Sequence, residues 1–484
     1  MRLGMSKLSY DENHFGITDF DFWFHRRPLI ETKRIIEAAA CQMADLGVHW
    51  DRVHLPGIFS WNIVERSQGK YDWTLTDALV KIAQKHKIRL SPNVWPYTAW
   101  DQEAYSKQEK RKVVDRGLGS GAQVPVDSFS PIPQRYGIPY DLNAYKAWLV
   151  AMTERYDGDG RSDMPGLRYP IKHWEIAGGY RTIVPFFFTG TPREFVTLLK
   201  SSYVAIKGED PDSKIINAGP VSLSKMLGEP ATDLDKDPET VFFEETLKLG
   251  CGDFFDVLSI MVNGLGESSS LMLINYYKDL LSKYTCEKPI WISEIASHCG
   301  EGNFMGQVLP YRTPEEQAID LVKHLVIAFS AGVSKAFWTA LGPAVPKGAK
   351  LSEPLESVGY IDMVSLLDGQ GKGRPAYYTF KLVISLLDKF RRVTPLRIEG
   401  AHAYRFDLKD RGIIVLWSDV RKRVEFGGLK SRNIVVIGSV PKMEKGKVVP
   451  DKQGQVQFNK ESKLTKDGKV SLQIGKEPLF VQEI

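Results

Sequence analysis

The chain has 484 residues, which exceeds one average domain, and its hydrophobic fraction of 43% and charged fraction of 25% are those of an ordinary globular protein. The formal net charge of +5 is small for this length, and the basic residues are spread out apart from a lysine-rich C-terminal end, so nucleic-acid binding is not expected. No apolar run approaches the roughly 20 residues that cross a bilayer, so no membrane partner is expected.

The cysteines give no sign of a disulfide framework or a zinc site. Cys41, Cys251, Cys286 and Cys299 are widely spaced and form no CxxC pair. The N-terminus lacks the basic, apolar and small-residue order of a signal peptide, which favours a cytoplasmic location. Export with a leader already removed is the alternative, and the sequence carries no signal of oligomeric state.

Short β-rich runs alternate with amphipathic helical stretches up to about residue 391. The predicted strands span residues 14–17, 48–54, 88–95, 171–177, 214–218, 254–261, 289–295 and 335–340. Helices are predicted near 29–46, after 72–73, and near 143–155, 192–207 and 238–249. Eight strand–helix units predict an α/β fold, a (β/α)8 TIM barrel over residues 1–391. A doubly wound sheet is disfavoured as a nucleotide-binding fold because no GxGxxG follows the first strand.

The pattern changes after residue 392. Alternating apolar and polar runs at 403–406, 412–417, 432–437 and 479–482 are separated by Gly, Lys and Asp turns. This pattern predicts a C-terminal antiparallel β-sandwich domain over residues 392–484. It carries no cluster of acids or histidines, so we expect it to pack against the barrel.

Glu294 ends the seventh predicted strand. Reactive groups of TIM barrels lie at the C-terminal ends of the strands, so Glu294 is a candidate nucleophile. Because strand residues alternate between faces, Ile290 and Ile292 are expected to share its inward face. A carboxylate that caps the strand or pairs with a basic residue is the structural alternative.

Arg52 is expected to point into the barrel, where an unpaired charge is costly. Glu175 on the fourth strand is its natural partner. As a catalytic acid Glu175 is disfavoured, because it lies four residues before Gly179 and therefore roughly 13 Å too deep.

Aromatic side chains fall at strand ends or in the loops that follow. Sugar rings stack on aromatic planes, so these residues indicate a carbohydrate partner, an oligosaccharide or glycoside. They are Trp23, Trp61, Trp95, Tyr97, Trp100 and Trp338.

The segment Asp157-x-Asp159-Gly-x-x-Asp163 resembles half of a calcium loop, with alternate carboxylates for a hard cation. It lacks the usual bidentate Glu at the twelfth position. A tight turn that caps itself through side-chain hydrogen bonds is the alternative. No cofactor for catalysis is expected, since the histidines show no metal-binding spacing.

In this order the features resemble clan A glycoside hydrolases, nearest to the family 39 xylosidase and iduronidase branch. The resemblance covers about residues 14–484. The matching stretches are Phe15-Gly16, Trp50-x-Arg52-x-His54, Gly69-Lys70-Tyr71-Asp72-Trp73, residues 156–166, Trp174-Glu175-Ile176, Trp291-Ile292-Ser293-Glu294 and Arg374-Pro375-Ala376-Tyr377.

The resemblance implies a retaining mechanism on β-linked carbohydrate. One glutamate attacks the anomeric carbon and a second, about 5–5.5 Å away, protonates the leaving oxygen. The nucleophile carries over to Glu294. The acid/base pattern Trp-Glu-x-x-Asn-Glu places Asn at Gly178 and the acid at Gly179, so this position has lost its acid. The sixth strand also lacks the His-x-Tyr that the family usually has there, and Asn263 lies in this stretch instead.

The predicted substrate contacts combine the aromatic residues with the residues that the resemblance supplies. They are Trp23, Arg52, His54, Trp61, Trp95, Tyr97, Trp100, Gly178, Asn263, His298 and Trp338. Three interpretations of the missing acid stay open. The protein is a glycosidase that takes its acid from a loop, a non-catalytic carbohydrate-binding pseudoglycosidase, or a variant whose glycines were engineered. The loop candidates for the acid are Asp101, Glu103, His298 and Glu301.

Overall fold

A computed structural model describes residues 13–19, 28–53, 57–102, 137–179, 188, 190–221, 234–264, 266–304, 307–342, 363–444 and 446–484. Its N-terminal part is a closed ring of parallel strands. The strands of this part are β1 (Phe15–Asp19), β2 (Trp50–Val53), β3 (Arg89–Leu90), β4 (Asn93–Val94), β5 (His173–Ile176), β6 (Lys214–Val221), β7 (Val257–Met261), β8 (Ile290–Ile295), an antiparallel hairpin of β9 (Gly300–Phe304) and β10 (Gln307–Arg312), and β11 (Lys335–Thr339).

The ring closes at its third position, which two short segments share. The strand order is β3-β2-β1-β11-β8-β7-β6-β5-β4, with β3 paired to β2 and β4 paired to β5. Pro92 lies between the segments and has no N–H to donate, which accounts for the break in the ladder. The predicted eight-stranded barrel is therefore confirmed.

Amphipathic helices surround the barrel and follow the predicted positions closely. They are α1 (Leu29–Leu46), α2 (Trp61–Val64), α3 (Thr74–Lys85), α4 (Leu142–Tyr156), α5 (Pro192–Glu209), α6 (Pro238–Lys248), α7 (Glu267–Lys283), α8 (Pro314–Ser330) and α9 (Pro375–Leu387). Helices α5 and α8 begin with a capping box and a proline at the first turn, which satisfies the free N–H groups there. None of the described helices is long and apolar enough to cross a membrane.

An aromatic layer fills the barrel below the candidate site. The rings of Trp50 on β2 and His173 on β5 both contact Trp291 on β8, with centroids 5.8 and 5.2 Å apart. Gly16 leaves room for this layer, since a Cβ atom there would lie 2.3 Å from the ring of Phe337. The filled interior makes this layer a rigid support for the candidate site above it.

The C-terminal part is a six-stranded antiparallel sheet covered by a two-stranded ribbon. Its strands are β12 (Arg392–Pro395), β13 (His402–Asp407), β14 (Gly412–Trp417), β15 (Lys422–Phe426), β16 (Asn433–Pro441), β17 (Met443–Glu444), β18 (Lys447–Val448), β19 (Phe458–Leu464), β20 (Val470–Ile474) and β21 (Leu479–Glu483). The sheet runs β12-β13-β14-β21-β16-β19, and β15 pairs with β20.

The central strand β14 of the sheet is buried on both faces. On strand β14, Ile414 and Leu416 join the apolar cluster under the ribbon, whereas Ile413 and Val415 join the core of the barrel part. A hydrogen bond from the hydroxyl of Thr379 on α9 to a β16 carbonyl adds to this contact. The sandwich prediction is confirmed.

Candidate functional site

Glu294 lies near the C-terminal end of β8, where a β-bulge changes the alternation of side chains. Strand β8 advances from Ile292 to Glu294 while β7 advances by one residue. The inward residue before the bulge is Trp291, which contacts Trp50 across the barrel. Ile290 and Ile292 belong to the core that includes the helices. The expectation that they share the inward face of Glu294 is wrong, because the bulge inserts an extra residue.

Arg52 connects two buried carboxylates. Its Nε and Nη2 atoms donate to Glu175 at 2.5 and 2.9 Å, which gives the bidentate pair expected from the sequence. Its Nη1 atom donates to Glu294 at 3.2 Å. Arg52 and Glu175 are each 1% exposed. The predicted pair is thus part of a triad that also fixes Glu294. The contact between Arg52 and Glu294 could not be predicted from strand alternation, because the bulge interrupts it.

Asn263 follows β7 and holds the other oxygen of Glu294. Its Nδ2 donates to Glu294 Oε2 at 2.5 Å. This bond fixes the orientation of the amide, because the reverse orientation would set two acceptors against each other. The amide oxygen of Asn263 is buried and has no hydrogen-bond partner among the described residues. The side chain therefore stabilises the carboxylate and leaves one buried acceptor.

Gly178 and Gly179 lie just beyond β5, at the same end of the barrel as Glu294 on β8. Both are buried. Gly179 has a φ of 110°, a conformation that side-chain-bearing residues rarely adopt, and its carbonyl accepts from the N–H of Phe188 at 3.1 Å. The backbone at this position is therefore built around a glycine, and the position offers no proton donor.

Two of the predicted aromatic contacts belong to a buried cluster. Trp61 is fully buried, stacks on Trp148 of α4 at 5.8 Å and donates its indole N–H to Glu65. Trp100 packs edge-on against Trp61 at 5.2 Å, and its indole N–H donates to the carbonyl of Glu65. These contacts hold the loop after β2 against α4.

The other described aromatic residues are also buried. Trp95 and Tyr97 lie edge to face at 4.9 Å just after β4, and each is 1% exposed. Trp338 on β11 is fully buried and donates to the carbonyl of Val364. Trp23 and His54 lie outside the described residues.

The described loop candidates for the missing acid have other partners. Burial raises the pKa of Asp101, but its carboxylate accepts from the backbone N–H groups of Tyr140 and Asp141. His298 is hydrogen-bonded through Nε2 to the carbonyl of Pro310 at 2.8 Å, and burial lowers its pKa below 6.5, so it is neutral near pH 7. These two side chains support loops.

Of the two remaining acid candidates, Glu301 is on the β9–β10 hairpin and is exposed. Glu103 lies outside the described residues. The described part of the structure therefore shows neither of these side chains beside Glu294.

The aspartate-rich loop forms a turn that caps itself. Asp163 accepts from the N–H groups of Gly158 and Gly160 at 3.0 and 2.8 Å, and Asp157 accepts from that of Asp159. Asp157 and Asp159 also lie near Glu154, with oxygens within 4.8 Å of one another. Asp163 therefore acts within the turn, and calcium at this loop stays a prediction.

The fold and the site together define a class of protein: a TIM barrel with a C-terminal sandwich and a carboxylate held at the end of β8 by an arginine. No known sequence family matches the chain, and no curated protein matches it in sequence. Solved structures do match it over nearly its whole length, and they include glycoside hydrolases of families 39, 30 and 51.

Three of these structures illustrate the likeness. A family 39 glycoside hydrolase from Bacteroides cellulosilyticus WH2 has a TM-score of 0.62 at 15% identity, covering 98% of this chain and 82% of that one. A monomeric β-xylosidase from Caulobacter crescentus CB15 gives 0.58 at 12%, covering 97% and 96%. A family 51 α-L-arabinofuranosidase from Thermotoga petrophila RKU-1 gives 0.54 at 13%, covering 94% and 90%. The chain thus has the fold of the clan A glycoside hydrolases.

Proposed function

We propose that the protein is a glycosidase acting on β-linked carbohydrate, with Glu294 as the nucleophile of a retaining-type reaction and with no side-chain acid at Gly179. The observation that carries this proposal is the position of Glu294 at the end of β8, with Arg52 on one oxygen and Asn263 on the other. Both donors stabilise the negative charge of the carboxylate and fix its direction, as attack on an anomeric carbon requires.

The first step of this reaction breaks the glycosidic bond. Glu294 attacks the anomeric carbon, and the bonding electrons leave with the aglycone oxygen. In a two-carboxylate site a general acid protonates that oxygen, which is worth about 10²- to 10⁴-fold in rate. Without such an acid, the rate depends on how well the aglycone carries negative charge.

The second step releases the sugar. Water attacks the anomeric carbon of the glycosyl–Glu294 ester, the bond to the Glu294 carboxylate breaks, and the attacking water loses its proton to solvent water. The acid/base group that would accept this proton is replaced by Gly179. The bond to water is therefore slow to form, and the covalent intermediate accumulates when the aglycone is a good leaving group.

A non-catalytic carbohydrate-binding role is the second candidate. It is favoured by the same glycines, because Gly179 adopts a φ of 110° that a glutamate at this position would find strained. In that case Arg52 and Asn263 hold Glu294 as a sugar-binding group and no bond is broken.

Leaving-group dependence separates the two candidates. The rates of hydrolysis are measured for aryl β-glycosides of several sugars, each with a good and a poor leaving group, in the native protein and in Glu294→Ala. The glycosidase proposal predicts turnover of the good leaving groups, rates lower by about 10²-fold or more for the poor ones, and loss of both in the variant.

Two other results would contradict the glycosidase proposal. Oligosaccharide binding by calorimetry without turnover of any activated glycoside would favour the binding role. Turnover that persists in Glu294→Ala would remove Glu294 from the mechanism. The matched control is Glu425→Ala, an exposed glutamate on β15 outside the barrel. Glu301→Ala is a separate variant that tests the hairpin as a source of the acid.

A further inference from the structure

A second cluster of reactive side chains lies on the outside of the barrel, between α1 and α3. Glu37 and Cys41 are one helical turn apart on α1, and His86 follows the end of α3. One oxygen of Glu37, the sulfur of Cys41 and one ring nitrogen of His86 all lie within 4.8 Å of one another. Because helices of the barrel run opposite to its strands, the end of α3 lies at the end of the barrel away from Glu294.

The same nitrogen of His86 contacts both partners. His86 Nε2 is 2.7 Å from Glu37 Oε1 and 3.9 Å from Cys41 Sγ. A catalytic Cys–His–acid relay uses the two ring nitrogens for its two partners, with the acid on one and the sulfur on the other. Here three donor atoms converge on one point, which is the arrangement of a metal site.

The spacing suits a tetrahedral ion. With bonds of about 2.3 Å to sulfur and about 2.0 Å to nitrogen and oxygen, zinc ligands are roughly 3.6 Å apart for sulfur and nitrogen and roughly 3.3 Å apart for nitrogen and oxygen. The observed distances of 3.9 and 2.7 Å differ from these by less than an ångström. The third pair, the Cys41 sulfur and the Glu37 oxygen, lies within 4.8 Å, so ion binding requires these side chains to shift.

The charged neighbour of the cluster is Lys85. Its ammonium contacts Glu37 Oε1 at 2.5 Å and lowers the pKa of that carboxyl group. The Lys85 side chain is 63% exposed, so it can move into solvent when a cation takes its place. Cys41 is exposed and forms no disulfide, so the thiol is accessible to an ion from solution.

We propose that Glu37, Cys41 and His86 bind a divalent transition metal of the zinc class, with water as the fourth ligand. A mixed sulfur, nitrogen and oxygen set selects zinc over calcium or magnesium, which prefer oxygen alone. The ion links α1 to the end of α3. This proposal departs from the expectation, drawn from cysteine spacing alone, that the chain has no zinc site.

Calorimetric titration of the full, chelator-treated protein with Zn²⁺ tests the proposal, and Co²⁺ serves as a spectroscopic probe. We expect one high-affinity site, a sulfur-to-cobalt charge-transfer band and a higher unfolding temperature with Zn²⁺. Loss of an outer-shell partner alone costs a metal site about 10- to 100-fold in affinity, so Cys41→Ser and His86→Gln should each cost at least that.

Two further variants make the test specific. Lys85→Met should bind Zn²⁺ more tightly, because the competing ammonium is gone. Cys299→Ser is the matched control and should bind as the native protein does. Unchanged affinity in Cys41→Ser, or a cobalt complex without the charge-transfer band, would overturn the proposal. The exposed position of Cys41 makes misfolding of its variant unexpected, and circular dichroism checks this.

Discussion

Loss of the Arg52 guanidinium is predicted to destabilise the barrel strongly. Arg52→Met keeps the apolar stem of the side chain but removes the donors to Glu175 and Glu294. Two carboxylates then remain in an interior where Glu175 is 1% exposed and Glu294 6% exposed. Breaking a buried ion pair in this way costs about 3–5 kcal/mol, a large part of a typical stability of about 5–15 kcal/mol.

Urea unfolding followed by tryptophan fluorescence and by circular dichroism measures this cost. The double variant Arg52→Met/Glu175→Met removes one of the stranded charges and should recover a substantial part of the loss. Lys283→Met is the control, because the ammonium of Lys283 is exposed in its pair with Glu244 and its loss should change stability little. If Arg52→Met is no more destabilising than Lys283→Met, the reasoning about the buried triad is refuted.

Three further predictions concern the barrel interior and the aspartate loop. Burial lowers the pKa of His173 from 6.5 to about 3, so below pH 6.5 the unfolded chain binds a proton that the folded chain excludes. Stability then falls with falling pH by up to about 1.4 kcal/mol per pH unit, and His173→Phe should reduce that slope in urea titrations between pH 6.5 and 5. Gly16→Ala should lower the unfolding free energy by about 1–3 kcal/mol, since its Cβ meets the ring of Phe337 at 2.3 Å; an unchanged urea midpoint would contradict this. Calcium should raise the unfolding temperature of the native protein but not of Asp157→Asn, and equal shifts would exclude the loop as the site.

The fold could be predicted from the sequence because its signals are local and repeat. Apolar periodicity located helices such as α1 to within a residue or two, and alternating apolar and polar runs indicated the antiparallel strands of the C-terminal part. The Arg52–Glu175 pair could also be predicted, since a buried charge requires a partner.

The site was predictable only in part. A bulge needs one extra residue in a strand and leaves no periodic signal, so the inward layer of Trp291 and the link from Arg52 to Glu294 were not predicted. The burial of Trp61 depends on its contact with Trp148 on α4, which lies far along the chain. The Cys41–His86 contact joins two helices and has no short motif to reveal it.

Trapping of the covalent intermediate tests the central claim most directly. An activated aryl 2-deoxy-2-fluoro-β-glycoside slows both steps, and the excellent leaving group removes the need for a general acid in the first. We predict that the intact mass of the protein rises by one fluorosugar residue and that peptide mapping places the label on Glu294. A folded protein that gains no label over a panel of such sugars, or that is labelled equally in Glu294→Ala, would contradict the account.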